Sequence, residues 1–119
     1  MSKLTILITT DDHAKIFPPF MLANGALASD MEVNVFFSMR GLLLLKKGVA
    51  DDIVSPNSGR KFIDLFRGVI EGGGHLIACT AAMEGMGLKQ EDLIPETEYG
   101  GVITFLQLAE ESEVVLTFC

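Results

Sequence analysis

The sequence has few of the residues from which metal sites and disulfide frameworks are built. It contains two cysteines, Cys79 and Cys119, and two histidines among 119 residues, and the cysteines do not form a Cys-x-x-Cys pair. This set does not supply the four ligands of a structural zinc site. We therefore expect no metal ion and, because a reducing cytosol keeps thiols free, no disulfide.

Positive charge and long apolar runs are also scarce. Nine Lys and Arg face sixteen Asp and Glu, for a net charge of −7, which argues against a nucleic-acid partner. The longest leucine block, residues 42–45, ends at Lys46 and is far shorter than the roughly 20 residues of a transmembrane helix. The first residues show no secretory signal. We expect a cytoplasmic protein without a transmembrane segment and without a nucleic-acid partner.

The residues that are present predict one α/β domain spanning residues 1–119. Hydrophobic residues make up 49% of the chain, enough for a packed core. Strand-like and helix-like segments alternate, which is typical of a mostly parallel sheet with helices on both faces. The fold class predicted is a three-layer α/β/α sandwich of flavodoxin-like appearance with about five strands. Strands are predicted at residues 3–9, 32–37, 75–78, 97–99 and 114–118, and helices at 19–28, 42–48, 62–71, 80–86 and 102–109.

Helix starts are predicted from capping residues. Asn57 or Ser58 is expected to cap the helix that carries Phe62, and Asp11 and Asp12 are expected to cap the first helix.

Sites in such sheets form beyond the carboxyl ends of the strands. Here that edge contains residues 9–12, residues 38–41, Cys79 with Thr80, and Cys119. Cys79 falls where the third strand passes into a helix, and a helix N-terminus lowers the pKa of a thiol. Buried cysteines often only pack, however, so spacing alone leaves both interpretations of Cys79 open.

Several thiol chemistries do not fit the residues around Cys79. A phosphatase-like loop needs an arginine at position 85, which is Gly85, and a thioredoxin-like site needs a cysteine at position 82, which is Ala82. A cysteine hydrolase needs a histidine base. His75 is expected at the far end of the strand, and His13 follows the first strand but is more typical of a solvated loop.

Two other classes that share this architecture also fit poorly. A phosphorelay receiver would carry an aspartate where Cys79 stands, and a flavin module would not place the acidic pair Asp11 and Asp12 in its phosphate loop. The glycines 72–74 precede a strand, so they end a helix and do not cradle a phosphate.

Four segments together resemble the DsrE/DsrF/TusD-like sulfur-relay family. They are residues 79–87 (CTAAMEGMG), 22–26 (LANGA), Phe36-Phe37 with Gly41-Leu42, and Gly100-Gly101-Val102. The pair Met86-Gly87 is similar to a DsrE-like branch sometimes labelled peroxiredoxin-related, whereas many core members carry arginine before that glycine. The resemblance extends over nearly the whole chain.

The resemblance implies a carrier of sulfane sulfur, held on Cys79 as a persulfide or thiosulfonate and passed to a partner thiol. It implies a homo-oligomer, donor and acceptor proteins, and no cofactor. Whether such a sulfurtransferase-like carrier acts as an enzyme is left open. The alternative is a non-catalytic assembly subunit with an inert cysteine.

An anionic adduct on Cys79 would need positive charge or N–H donors. Arg40 is the first candidate for that role, followed by Lys15, with Thr80 and His13 as further possible substrate contacts. Cys119 is kept outside the main site, because a terminal residue is often frayed.

Overall fold

The computed structural model describes all 119 residues and contains one five-stranded sheet in which every strand pair is parallel. The strand order is β4-β3-β2-β1-β5. The strand bounds are β1 Lys3–Ile8, β2 Glu32–Phe37, β3 His75–Cys79, β4 Glu98–Gly100 and β5 Val114–Phe118. All five predicted strands are therefore present within one or two residues of their expected ends.

Four α-helices connect the strands: α1 Phe17–Ala28, α2 Phe62–Glu71, α3 Thr80–Gly85 and α4 Val102–Glu110. The leucine-rich segment after β2 is a 3₁₀ helix, Met39–Leu45, and a second short one spans Ala50–Asp52.

The strand order explains the three layers. From β1 to β4 the chain steps in one direction across the sheet, and then it crosses back to pair β5 with β1. Because crossover connections are right-handed, reversing the direction places the connecting helix on the opposite face. Thus α1 and α2 cover one face and α4 covers the other, so the predicted three-layer sandwich is confirmed.

The two faces are packed very unequally. The main core joins the inward residues of the sheet to α1 and α2, and includes a group of edge-to-face and tilted phenylalanine contacts from Phe17, Phe20, Phe62 and Phe66. On the other face, α4 has no fully buried residue. Its apolar side chains Val102, Ile103 and Leu106 are 61%, 67% and 55% exposed.

Helix α1 begins two residues before the predicted start and passes through Asn24-Gly25 without a turn. Its prolines lie in the first helical turn, where no intrahelical N–H bond is lost. The amide of Asn24 donates to the carbonyl oxygens of Phe20 and Leu65, at 2.8 and 3.0 Å, and so ties α1 to α2.

The predicted helix caps are wrong. Lys61, not Asn57 or Ser58, precedes α2, because residues 54–61 form a tight turn closed by a bridge between Val54 and Lys61. Ile16 precedes α1. Asp12 instead accepts a hydrogen bond from the N–H of Ala14 within the preceding loop.

No helix in the chain combines the length and apolar character needed to cross a bilayer.

Gly41 fixes the 3₁₀ segment against the end of β1. A Cβ atom there would overlap the carbonyl oxygen of Ile8 and lie 2.9 Å from its carbonyl carbon. We expect Gly41→Ala to lower the free energy of unfolding by about 1–3 kcal/mol, the usual cost of overpacking. Gly25→Ala is the matched control, since a Cβ there meets nothing within 4 Å and alanine favours the helix by about 0.5–1 kcal/mol. Urea unfolding measures both, and equal effects would contradict this packing.

Candidate functional site

Parallel register brings the ends of three strands to the same level. Ile8 pairs with Phe37, and Phe37 pairs with Ala78, so the next residues in each strand, Thr9, Ser38 and Cys79, follow side by side. On the other side, Cys79 pairs with Gly100. The predicted edge is therefore a continuous row, and Cys79 lies in its middle.

Cys79 is buried at this edge with a side chain that points toward α4. It is 5% exposed and packs with Phe36 and Ile77 in a small cluster separate from the main core. The partly buried residues around it include Phe105 and Leu108 of α4. The rings of Phe36 and Phe105 lie 5.3 Å apart, so the first turns of α4 form the cover over this cluster.

Two helices begin beside Cys79. Cys79 is the N-cap residue of α3, although its thiol makes no capping hydrogen bond. Its strand partner, Gly100, is followed by Gly101, which is the N-cap residue of α4. A Cβ atom at Gly100 would lie 2.8 Å from the methyl carbon of Thr104, so the close approach of α4 requires glycine there.

Thr80 connects the starts of α3 and α4 through a hydrogen bond. It is exposed at the first position of α3, and its hydroxyl is 3.5 Å from the carbonyl oxygen of Gly100, to which it donates. A groove of about 340 Å³ lies on the far side of Thr80 and includes Met83, Lys89 and Tyr99 in its lining. Lys89 is a cation of this groove that the sequence did not predict. A loop residue nine positions after Thr80 carries no pattern that indicates that the chain folds back beside Thr80.

Arg40 is engaged with an acidic neighbour at the same edge. Its Nε and Nη2 atoms donate to the two carboxylate oxygens of Asp11 at 3.0 and 3.1 Å. The hydrogen bond to Asp11 and the charge of that carboxylate raise the pKa of Arg40 above its usual value. The guanidinium thus contacts Asp11 at two points, while the Arg40 side chain remains 67% exposed. Met39 beside it adopts φ of 51°, an unusual value for a residue other than glycine, and is 58% exposed.

The remaining predicted contacts, His13 and Lys15, lie in the loop after β1. Both are exposed, and neither side chain makes an ion pair. His75 lies at the opposite end of β3, where its Nδ1 is 2.6 Å from a carboxylate oxygen of Glu98. Among the predicted contacts, Thr80 follows Cys79 directly in the chain and begins α3.

The two cysteines are free thiols, as expected. Cys119 is exposed and follows β5, which is three strands away from β3. With neighbouring strands about 4.8 Å apart, the separation is roughly 14 Å. A disulfide needs Cα atoms within about 7 Å, so Cys119 cannot bridge to Cys79 in this fold.

The chain is similar over its full length to small proteins from bacteria and archaea. It is 27% identical to the uncharacterized protein YrkE of Bacillus subtilis, covering 96% of this chain and 95% of that protein. It is 28% identical to the uncharacterized protein MJ0989 of Methanocaldococcus jannaschii, covering 98% and 99%. A shorter match, 49% identical over 45 residues, covers 38% of this chain and 28% of the sulfur carrier protein DsrE2 of Allochromatium vinosum.

Solved structures share the fold. The ychN protein of E. coli superposes with a TM-score of 0.79 at 19% identity, covering 99% of this chain and 100% of that one. MTH1491 of Methanobacterium thermoautotrophicum, a protein of unknown function, gives 0.79 at 13% identity, covering 98% and 99%. The sequence profile of the DsrE/DsrF-like family matches residues 2–118. The chain therefore belongs to the DsrE/DsrF-like family.

Proposed function

We propose that this protein is a sulfur carrier that holds sulfane sulfur on Cys79 as a persulfide and passes it to a partner thiol. The observation that carries the proposal is the position of Cys79: in a DsrE/DsrF-like chain, the thiol ends the third strand and begins a helix at the site-forming edge of the sheet. The local match to a sulfur carrier protein adds support.

The transfer step needs only thiol chemistry. The thiolate of Cys79 attacks the outer sulfur of a donor persulfide, a new S–S bond forms on its Sγ, and the donor cysteine leaves as a thiolate. Delivery repeats the exchange with an acceptor thiolate, which takes the outer sulfur and leaves Cys79 as a thiolate. Electrons and sulfur balance in each exchange, and no oxidant is consumed.

The apolar surroundings of Cys79 suit a carrier that must protect its cargo. Phe36, Ile77 and Phe105 keep water and stray thiols away from the sulfur. Since Cys79 is only 5% exposed, α4 must move away from it locally before a sulfur donor can reach the thiol. That cover is the less tightly packed layer of the protein, because none of its residues is fully buried.

A persulfide fits this edge better than a thiosulfonate. A thiosulfonate carries a bulky, fully ionised sulfonate, which the apolar cluster around Cys79 would not solvate. Thr80 and Lys89, which share the groove beside α3, are left to contact the donor or acceptor protein.

The burial of Cys79 also favours a second candidate, an assembly subunit with an inert cysteine. In either case we propose a homo-oligomer formed through the outer face of α4. This face exposes Val102, Ile103 and Leu106 together, and exposed apolar clusters of this kind mark protein interfaces.

Sulfur loading distinguishes the two candidates. Incubation with inorganic polysulfide should add the mass of sulfur atoms to the wild-type protein and to Cys119→Ser, but not to Cys79→Ser, as measured by intact-mass spectrometry. Tetrathionate serves as a second donor and tests for a thiosulfonate. Equal loading of Cys79→Ser would move the role to Cys119, and no loading by any donor would favour the assembly subunit.

Removing the ring over Cys79 should speed its reactions. We expect Phe105→Ala to raise the rate of Cys79 alkylation about tenfold, because local opening then costs less free energy. Gln107→Ala, at an exposed polar position of α4, should leave that rate unchanged. Measuring both in a Cys119→Ser background isolates Cys79; identical rates in the two variants would show that α4 does not limit access.

Charge on the outer face of α4 should disrupt the assembly. Ile103→Glu is expected to shift the protein to a smaller species in light scattering after size exclusion, because a carboxylate buried in an apolar interface is strongly unfavourable. Gln107→Glu adds the same charge at an exposed polar position of α4 and should leave the mass unchanged. A wild-type monomer, or an intact Ile103→Glu oligomer, would contradict an interface at this face.

A further inference from the structure

Helix α4 is held unequally at its two ends. Its C-terminal end lies beside the start of β1 and continues into β5, which pairs with β1 along five residues. Its N-terminal end lies over Cys79 at the carboxyl edge and follows β4, a strand of only three residues at the border of the sheet. The two ends therefore differ in how firmly the sheet holds them.

The C-terminal end is bonded to β1 by a chain of hydrogen bonds. Thr5 is fully buried, and its hydroxyl lies 2.8 Å from the hydroxyl of Ser112. Because Ser112 donates its own proton to the carbonyl oxygen of Leu108, at 2.6 Å, Thr5 is the donor of that pair. One residue further on, Glu113 accepts from the backbone N–H of Lys3 at 3.0 Å. Moving this end away from the sheet would break these bonds together.

The N-terminal end has weaker links to the sheet. Only Gly101 separates β4 from α4, and glycine has the widest backbone freedom of any residue. The hydrogen bond from Thr80 to the carbonyl oxygen of Gly100 is long, at 3.5 Å. No salt bridge and no side-chain hydrogen bond joins residues 102–106 to the sheet, so the partly buried ring of Phe105 supplies an apolar contact in their place.

We propose that α4 is a lid with its hinge at Ser112, and that it opens at its N-terminal end to admit a sulfur donor or acceptor to Cys79. The bond between Thr5 and Ser112 persists in the open state, while Phe105 moves away from the sheet. The first turn of α4 lies about 15 Å from Ser112 along the helix axis, so a rotation of about 20° lifts it by roughly 5 Å. The inference rests on the proposed function for what enters, but the motion itself does not depend on sulfur transfer.

The alternative motion is detachment of the whole helix, and the two motions respond differently to loss of the Thr5–Ser112 bond. In a hinged opening this bond is present in the closed and open states alike, so its removal leaves their equilibrium unchanged. In whole-helix detachment the bond breaks on opening, so its removal favours the open state.

Alkylation of Cys79 by iodoacetamide, in a Cys119→Ser background, measures the opening. At low reagent concentration the rate is proportional to the fraction of open protein. We expect Thr80→Val, which removes the hydrogen bond at the N-terminal end, to raise the rate about twofold to fivefold. We expect Ser112→Ala to leave the rate unchanged, although it lowers the midpoint of urea unfolding more than Thr80→Val does, because it leaves the buried hydroxyl of Thr5 unpaired.

A second variant breaks the same bond from the other side. Thr5→Val removes the donor hydroxyl, while Ser112 still donates to Leu108, so no polar atom of the pair is left unpaired. It should also leave the alkylation rate unchanged, and it decides the question should Ser112→Ala fail to fold. All variants are compared at one protein concentration.

Three results would overturn the hinge. Faster alkylation in Ser112→Ala or Thr5→Val would show that the whole helix detaches, and an unchanged rate in Thr80→Val would show that the N-terminal end does not control access. An alkylation rate that rises with urea as steeply as global unfolding would show that Cys79 is reached only in the unfolded chain. Sulfur loading is measured separately, so its failure beside the expected alkylation rates would overturn the proposed function alone.

Discussion

The structure depends on one geometric constraint, the shared direction and register of five parallel strands. Parallel pairing brings the carboxyl ends of β1, β2 and β3 to one level, and the thiol of Cys79 comes from the middle of that row. The reversal of strand order between β4 and β5 then places α4, alone, over the face to which this thiol points. The position of Cys79 and its cover by α4 both follow from the order of the strands.

The unequal packing of the two faces gives the layers different roles. The layer containing α1 and α2 closes a large core with interlocking phenylalanines and the Asn24 hydrogen bonds, so it fixes the sheet. The α4 layer is thin and has no fully buried residue. It nevertheless lies over Cys79 at the carboxyl end of the sheet. Stability therefore resides mainly on one side of the sheet, and the thiol of Cys79 lies on the other.

Much of this arrangement is readable from the sequence. Runs of β-branched and apolar residues locate β1, β2, β3 and β5, whereas β4, Glu98–Gly100, has no such run. The spacing of Phe62, Leu65, Phe66 and Val69 locates α2. Cys79 at the end of β3 is foreseen for the same reason. Capping was predicted poorly, since a polar residue before a helix serves equally well in a turn, as residues 54–61 and Asp12 show.

Contacts between distant segments could not be foreseen in the same way. The pairing of Arg40 with Asp11 and the position of Lys89 beside Thr80 both depend on side-chain positions that no local pattern encodes.

Reversible holding of sulfur by Cys79 can be measured by residue-level mass spectrometry of polysulfide-treated protein, before and after a thiol acceptor is added. We expect extra sulfur on the Cys79 peptide alone, and we expect the acceptor to remove it. Sulfur found only on Cys119, or sulfur on Cys79 that no thiol can remove, would contradict it.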